Sequence, residues 1–167
     1  MTAKADFNPT EWEQLLEAPV IAGMVISMSS PSLMGSIGES MSIAKTIAAS
    51  LQQAAGNELL TALLADYQNK ETAKLAKPEF ESKDPVQLKQ AMTSGLQGAV
   101  DLLNQKATPE EAQGIRQWLY QVAVNAATAT KEGGFLGIGA VRVSDAEKAA
   151  LVELAGIFGV EPALPAE

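Results

Sequence analysis

The residues whose types and spacing could do chemistry are concentrated in one run, Lys131-Glu-Gly-Gly-Phe-Leu-Gly-Ile-Gly-Ala-Val-Arg142. Its glycines lack a Cβ, so backbone N–H groups there can approach an anion closely. Lys131 and Arg142 add positive charge, and a helix opening near Ser144 adds the favourable end of its dipole. The candidate ligand- or partner-binding set is therefore Lys131, Glu132, Gly133, Gly134, Gly137, Gly139 and Arg142, and the chemistry is a cradle for phosphate or carboxylate. Neither the P-loop spacing nor the dinucleotide fingerprint is present, and no β-α-β pattern surrounds the run. A structural reading stands beside the functional one: the glycines allow a tight connection, and Phe135, Leu136 and Ile138 fold inward onto a core.

Other candidates are weaker. Glu11, Glu13 and Glu17 lie close together on one helix, and Glu110 and Glu111 open another. Paired carboxylates do acid/base work when burial separates their pKa values; at solvated helix starts they instead complement the dipole, so no catalysis is expected of them. Met24, Met28, Met34, Met41 and Met92 suit either core filling or an adaptable partner surface. Trp12 and Trp118 fall on apolar stripes and are expected in the core. The chain has no His and no Cys, which removes zinc fingers, thiolate nucleophiles, disulfides and Ser-His-Asp triads. No enzyme activity, cofactor or metal is expected, since Glu132, Asp145 and Glu147 on one side, and Glu39 with Ser29, Ser30 and Ser32 on the other, are too few acids for an oxygen-rich cation site.

The 167 residues carry 12 Lys plus Arg against 20 Asp plus Glu, a net charge of -8. Such a field repels phosphate backbones and no basic cluster offsets it, so nucleic acid is excluded as a partner. The opening residues show no apolar run followed by a small-residue cleavage site, and a cytoplasmic location is expected. Ala18 to Gly38 is free of charge, but its serines, Pro31, Gly35 and Gly38 leave it short of a spanning helix. It reads as a helix buried inside the fold.

The elements that position these residues are helices with well-marked starts. Asn8-Pro9-Thr10-Glu11, Asp84-Pro85-Val86-Gln87 and Thr108-Pro109-Glu110-Glu111 each place a capping side chain, a first-position proline and an acceptor three residues on, and Ser144-Asp145-Ala146-Glu147 does the same without proline. Apolar residues recur at three and four after each start, as in Leu88, Met92, Leu96, Ala99, Val100 and Leu103. Pro19 either kinks the first helix or divides it in two. A further helix is expected from Ile37 to Ala55, with Gly56 ending it and Asn57 capping the next. The charged, proline-bearing stretch from Asp66 to Lys89 reads as a solvated connection.

Leu16, Gly35, Ser42, Lys45, Leu51 and Gly56 can be set against Leu119, Gly137, Ser144, Lys148, Leu154 and Gly159 at offsets of 102 or 103. Each half then reads as an apolar helix, a glycine-containing loop and an amphipathic helix ended by glycine, which implies a duplicated helix-loop-helix about a pseudo-twofold axis. The run Ala126 to Gly134, followed by Val143-Ser144-x-x-Glu147 and Leu151 to Gly159, resembles the C-terminal helix pair of tellurite-resistance TerB-like proteins. Glu132-Gly133 stands where that family has Asp-Gly, and 134–142 reads as an insertion. The resemblance covers about a third of the chain; it implies an all-helical fold with internal pseudo-symmetry, while the family's acidic metal-binding loop is depleted here.

The expectation is one all-α domain over 1–167, a bundle of about six or seven helices, with repeat units 9–70 and 85–160 and a short disordered tail, 160–167. Two functions follow. The first is a non-enzymatic helical interaction module for a protein partner, signalled by an exposed apolar patch. The alternative is a binder of a small anionic or acyl ligand held between helices near 131–142, with Gly23, Ala48, Ala49, Ala123, Ala126 and Ala127 leaving the space.

Overall fold

The structure is a computed structural model that describes residues 1–29, 46–47, 49–50, 54, 56–129 and 143–165. Among these the fold is all-helical, with five α-helices: α1 (Pro9–Ser29), α2 (Glu58–Gln68), α3 (Pro85–Lys106), α4 (Pro109–Ala129) and α5 (Asp145–Phe158). Short 3-10 turns occupy Lys4–Asp6 and Ala73–Leu75. The count falls below the expected six or seven because most of the helix assigned to Ile37–Ala55 lies outside the described residues; of that span, Thr46, Ile47 and Ala49 are helical. No described helix is long and apolar enough to cross a membrane.

The starts form where the side chains predict them. Asn8 Oδ1 accepts the Glu11 N–H at 3.0 Å while Glu11 Oε2 accepts the Asn8 N–H at 2.8 Å. Asp84 accepts the N–H groups of Val86 and Gln87. Ser144 and Glu147 make the same reciprocal pair at α5. These bonds satisfy donors that every helix start would otherwise leave open.

α1 is the axis of the bundle and touches the other four helices. Leu15, Leu16, Ala18, Pro19, Ile21, Ala22, Gly23, Val25 and Ile26 are all buried, so it is apolar around most of its circumference, as a central helix must be. Pro19 lies inside one continuous helix, which resolves the choice left open by the sequence. The proline lacks an N–H for the fourth carbonyl before it. In the same turn, the Tyr67 hydroxyl from α2 donates to the Leu16 carbonyl. The carbonyl that Pro19 leaves open is that of Leu15, so this bond adds to the neighbouring carbonyl rather than replacing the missing one.

α3, α4 and α5 wrap this axis with Met92, Leu96, Ile115, Leu119, Leu151 and Phe158 fully buried. The first residues close one end: Phe7 packs against Trp12 with the rings tilted by 53° and centroids 5.7 Å apart, Trp12 Nε1 donates to Asp66 Oδ2 at 2.7 Å, and Lys4 pairs with the same oxygen. Lys106 at the end of α3 pairs with Glu11 at 2.6 Å. Residues 69–84 cross the surface as expected of a charged connection, though Ala76 and Phe80 pack partly into the core.

Two glycines let helices approach. A methyl group on Gly114 would come within 2.8 Å of Asn57 Nδ2. That amide caps α2 through the Leu60 N–H and donates to the Glu111 carbonyl of α4 at 3.0 Å. Gly98 makes comparable room for the end of Gln14.

Of the proposed repeat, Leu16 and Leu119 are both buried, and Gly56 and Gly159 both have positive φ, at 90° and 61°. Gly35, Ser42, Lys45, Leu51 and Gly137 lie outside the described residues.

Candidate functional site

The described residues contain a polar cleft where α4 meets the end of α5. Along α4, Gln113, Gln117 and Gln121 form one row at four-residue spacing and Arg116 and Tyr120 a second, both displaced from the buried stripe of Ala112, Ile115, Leu119 and Val122. The opposite wall exists because α5 stops at Gly159. That residue adopts the left-handed conformation, φ 61° and ψ 42°, which glycine tolerates best. Val160 N–H then bonds back to the Ala155 carbonyl at 3.0 Å, a Schellman closure that turns the chain over α4. Gly159, Val160 and Glu161 thereby face the α4 rows across a cleft of about 510 Å³.

Two polar groups there are buried without partners. Arg116 Nη1 donates to Asn104 Oδ1 at 3.0 Å, across the turn between α3 and α4, but its Nε meets nothing. The Tyr120 side chain is 5% exposed and its hydroxyl has no partner in hydrogen-bond geometry. Burial pushes its pKa up, and the nearby Ala163 N–H pulls it down by less. The other buried orphans are Trp118 Nε1 and Glu147 Oε1; neither residue lines the cleft.

Every residue of the sequence-derived set, Lys131, Glu132, Gly133, Gly134, Gly137, Gly139 and Arg142, lies outside the described residues. The preceding position, Ala129, is twelve residues along α4 from Gln117, or about 18 Å at the helical rise. The lining residues, from Gln113 to Gln121 and from Gly159 to Glu161, belong to other parts of the sequence than that run. Gly23, Ala123, Ala126 and Ala127 are buried and take no part in it, while Ala49 is exposed and Ala48 is not described. Trp12 and Trp118 are core residues, as is Met92, with Met24 and Met28 packed partly against the core; Met34 and Met41 are not described.

One acidic residue departs from expectation. Glu111 is not at a solvated helix start: it is 6% exposed. Its carboxylate accepts the Thr2 N–H at 3.0 and 3.2 Å and both the N–H and hydroxyl of Thr108. Among the described residues no group of three or more acids is arranged to hold a metal.

The cleft residues were missed because Gln, Arg and Tyr on a polar helix face look like ordinary solvent coverage. The available signal was Tyr120, an aromatic residue set beside a row of glutamines, with a glycine stop and a returning chain after α5. Compared with protein-family models, curated proteins and solved structures, the chain matches none.

Proposed function

We propose that the chain is a non-enzymatic helical-bundle protein that binds a small polar ligand in the cleft between α4 and the end of α5. The observation that carries this reading is the lining of the cleft, where Arg116 stands with Gln113, Gln117 and Gln121 on one wall and Glu161 on the other. The neighbouring glutamine amides both donate and accept, which suits orienting a ligand by hydrogen bonds. The reading keeps the expected small-ligand binding and rests it on described residues, the glycine-rich run lying outside them.

A second reading keeps the interaction module. Val86 on α3 and Val152 on α5 are 66% and 49% exposed, and the Lys89–Glu153 ion pair at 2.8 Å ties those two helices together beside them. A partner helix could cover that face. The other large exposed apolar residues among those described, Met1, Leu75 and Leu164, are scattered, so the cleft is favoured. A TerB-like second half, the pseudo-twofold duplication and a cytoplasmic location belong to the same proposal; the helical fold and the capped start of α5 at Ser144 support the first of these.

The test is an amide NMR titration of the full chain with small polar molecules grouped by charge. Shifts confined to 113–121 and 159–161, abolished by Arg116→Ala and Tyr120→Phe together, are expected. Shifts centred on Val86 and Val152 with a helical peptide, and none at the cleft, would favour the interaction module.

A further inference from the structure

The walls of the cleft carry opposite charges that leave each other alone. Arg116 lies on the α4 side and Glu161 on the returning chain, yet neither joins any ion pair among the described residues, those being Lys4–Asp66, Lys74–Glu71, Lys89–Glu153 and Lys106–Glu11. Guanidinium and carboxylate sharing a cleft ordinarily pair, because a charge-assisted bond is stronger than a neutral one. The Schellman closure sets the backbone of Gly159 and Val160, which brings Glu161 to the wall opposite α4, and the Asn104 bond holds one arm of Arg116 toward α3.

This arrangement discriminates among ligand charges. A simple anion gains Arg116 but meets the Glu161 carboxylate; a simple cation gains Glu161 but meets Arg116. A molecule carrying both charges satisfies both walls. Its carboxylate faces a guanidinium, the side chain best shaped to hold one, and its ammonium faces a carboxylate. Gln113 and Gln117, neutral and able both to donate and to accept, add bonds at either end without disturbing the balance. The volume of about 510 Å³ holds a ligand of amino-acid or dipeptide size, and Val160 gives it one apolar contact.

We propose that the ligand of this cleft is a zwitterion with a free α-ammonium and a free carboxylate, an amino acid or a dipeptide, read by Glu161 and Arg116 respectively. The inference rests on the binding role assigned to the cleft above and specifies its ligand class.

Calorimetric titration of the full chain tests it with L-leucine, L-glutamine and the dipeptide glycyl-leucine, alongside leucinamide, which lacks the carboxylate, and N-acetyl-leucine, which lacks the ammonium. At least one free amino acid or the dipeptide is expected to bind, which also identifies the source, with both blocked forms about tenfold or more weaker. Arg116→Gln and Glu161→Gln are each expected to weaken binding about ten- to hundredfold, with N-acetyl-leucine gaining affinity in Glu161→Gln as the repulsion is removed; unchanged thermal unfolding of both variants confirms that they fold. If N-acetyl-leucine binds as well as leucine, the zwitterion is overturned and the cleft remains a binding site for anions. If leucinamide binds as well, the site is one for cations and the proposal likewise fails. If no probe binds at millimolar concentration, the proposal fails together with the binding reading beneath it.

Discussion

The backbone N–H of Thr2 lies 3.0 and 3.2 Å from the two carboxylate oxygens of Glu111, so a capping residue of α4 also holds the first residues of the chain against the bundle. Burial works to raise the Glu111 pKa, but the bonds from Thr2 and Thr108 outweigh it and bring it to about 2 from an ordinary 4.5. A carboxyl depressed on folding contributes stability that is full above its unfolded pKa and lost as pH falls through the folded one. The fold should therefore lose stability as pH falls from about 4.5 to about 2. Glu111→Gln is expected to cost about 1–3 kcal/mol at neutral pH. Urea unfolding of both proteins across that range should show the difference shrinking as pH falls; a constant difference would mean that the charge contributes nothing.

Gly114 and Gly98 should respond differently to alanine. In a helix, Gly→Ala gains about 1 kcal/mol. At Gly114 the methyl displaces Asn57, which holds both the α2 cap and the Glu111 carbonyl, a loss of about 1–2 kcal/mol. At Gly98 it meets only the end of Gln14, whose bond to the Gly95 carbonyl is long at 3.5 Å. Denaturation midpoints should thus rise for Gly98→Ala and stay level or fall for Gly114→Ala. With Asn57→Ala already in place, Gly114→Ala should become stabilising.

Both tyrosines should resist alkaline titration. Burial, then the charge of Glu17, raises the Tyr67 pKa above its ordinary 10.0, and burial raises that of Tyr120. A phenol raised on folding contributes stability that is present below the unfolded pKa and lost as pH rises through the folded one. The ultraviolet phenolate band should develop at higher pH in the folded protein than for free tyrosine, which is half ionised near pH 10. Half of the full two-ring signal near pH 10 in the folded protein would mean that both rings titrate as free phenols and would contradict their burial.

Tyr67→Phe should cost about 1–2 kcal/mol by removing the donor to the Leu16 carbonyl. In a Pro19→Ala background the regained N–H serves the Leu15 carbonyl, not that of Leu16, so the same change should cost about as much. Thermal unfolding of the four proteins gives the comparison.

Local chemistry made much of this fold legible in advance. Asn8, Asp84, Thr108 and Ser144 announce their helices because capping acts within three residues of sequence, and Gly56 and Gly159 announce their turns through the backbone conformation only glycine readily adopts. Pro19 was ambiguous because whether a helix runs on through a proline is decided by the residues packed around it, which are distant in sequence. Glu111 looked solvated for the same reason, since its burial comes from Thr2 at the other end of the chain. The α4–α5 cleft is longer-range again. It needs Gly159 to turn Val160 and Glu161 back beside α4, a relation that no periodicity along α4 records. The glycine-rich run at 131–142, the most conspicuous chemistry in the sequence, lies outside the described residues.

The measurement that tests the role of the cleft most directly is the unfolding temperature of the wild type and of Arg116→Gln against rising concentration of the tightest-binding amino acid or dipeptide. A ligand that binds the folded state alone adds about 1.4 kcal/mol of stability for each tenfold rise above Kd. The wild-type midpoint should climb steadily while that of Arg116→Gln starts to climb only at about ten- to hundredfold higher concentration. Flat curves, or two curves rising together, would contradict a ligand site at Arg116.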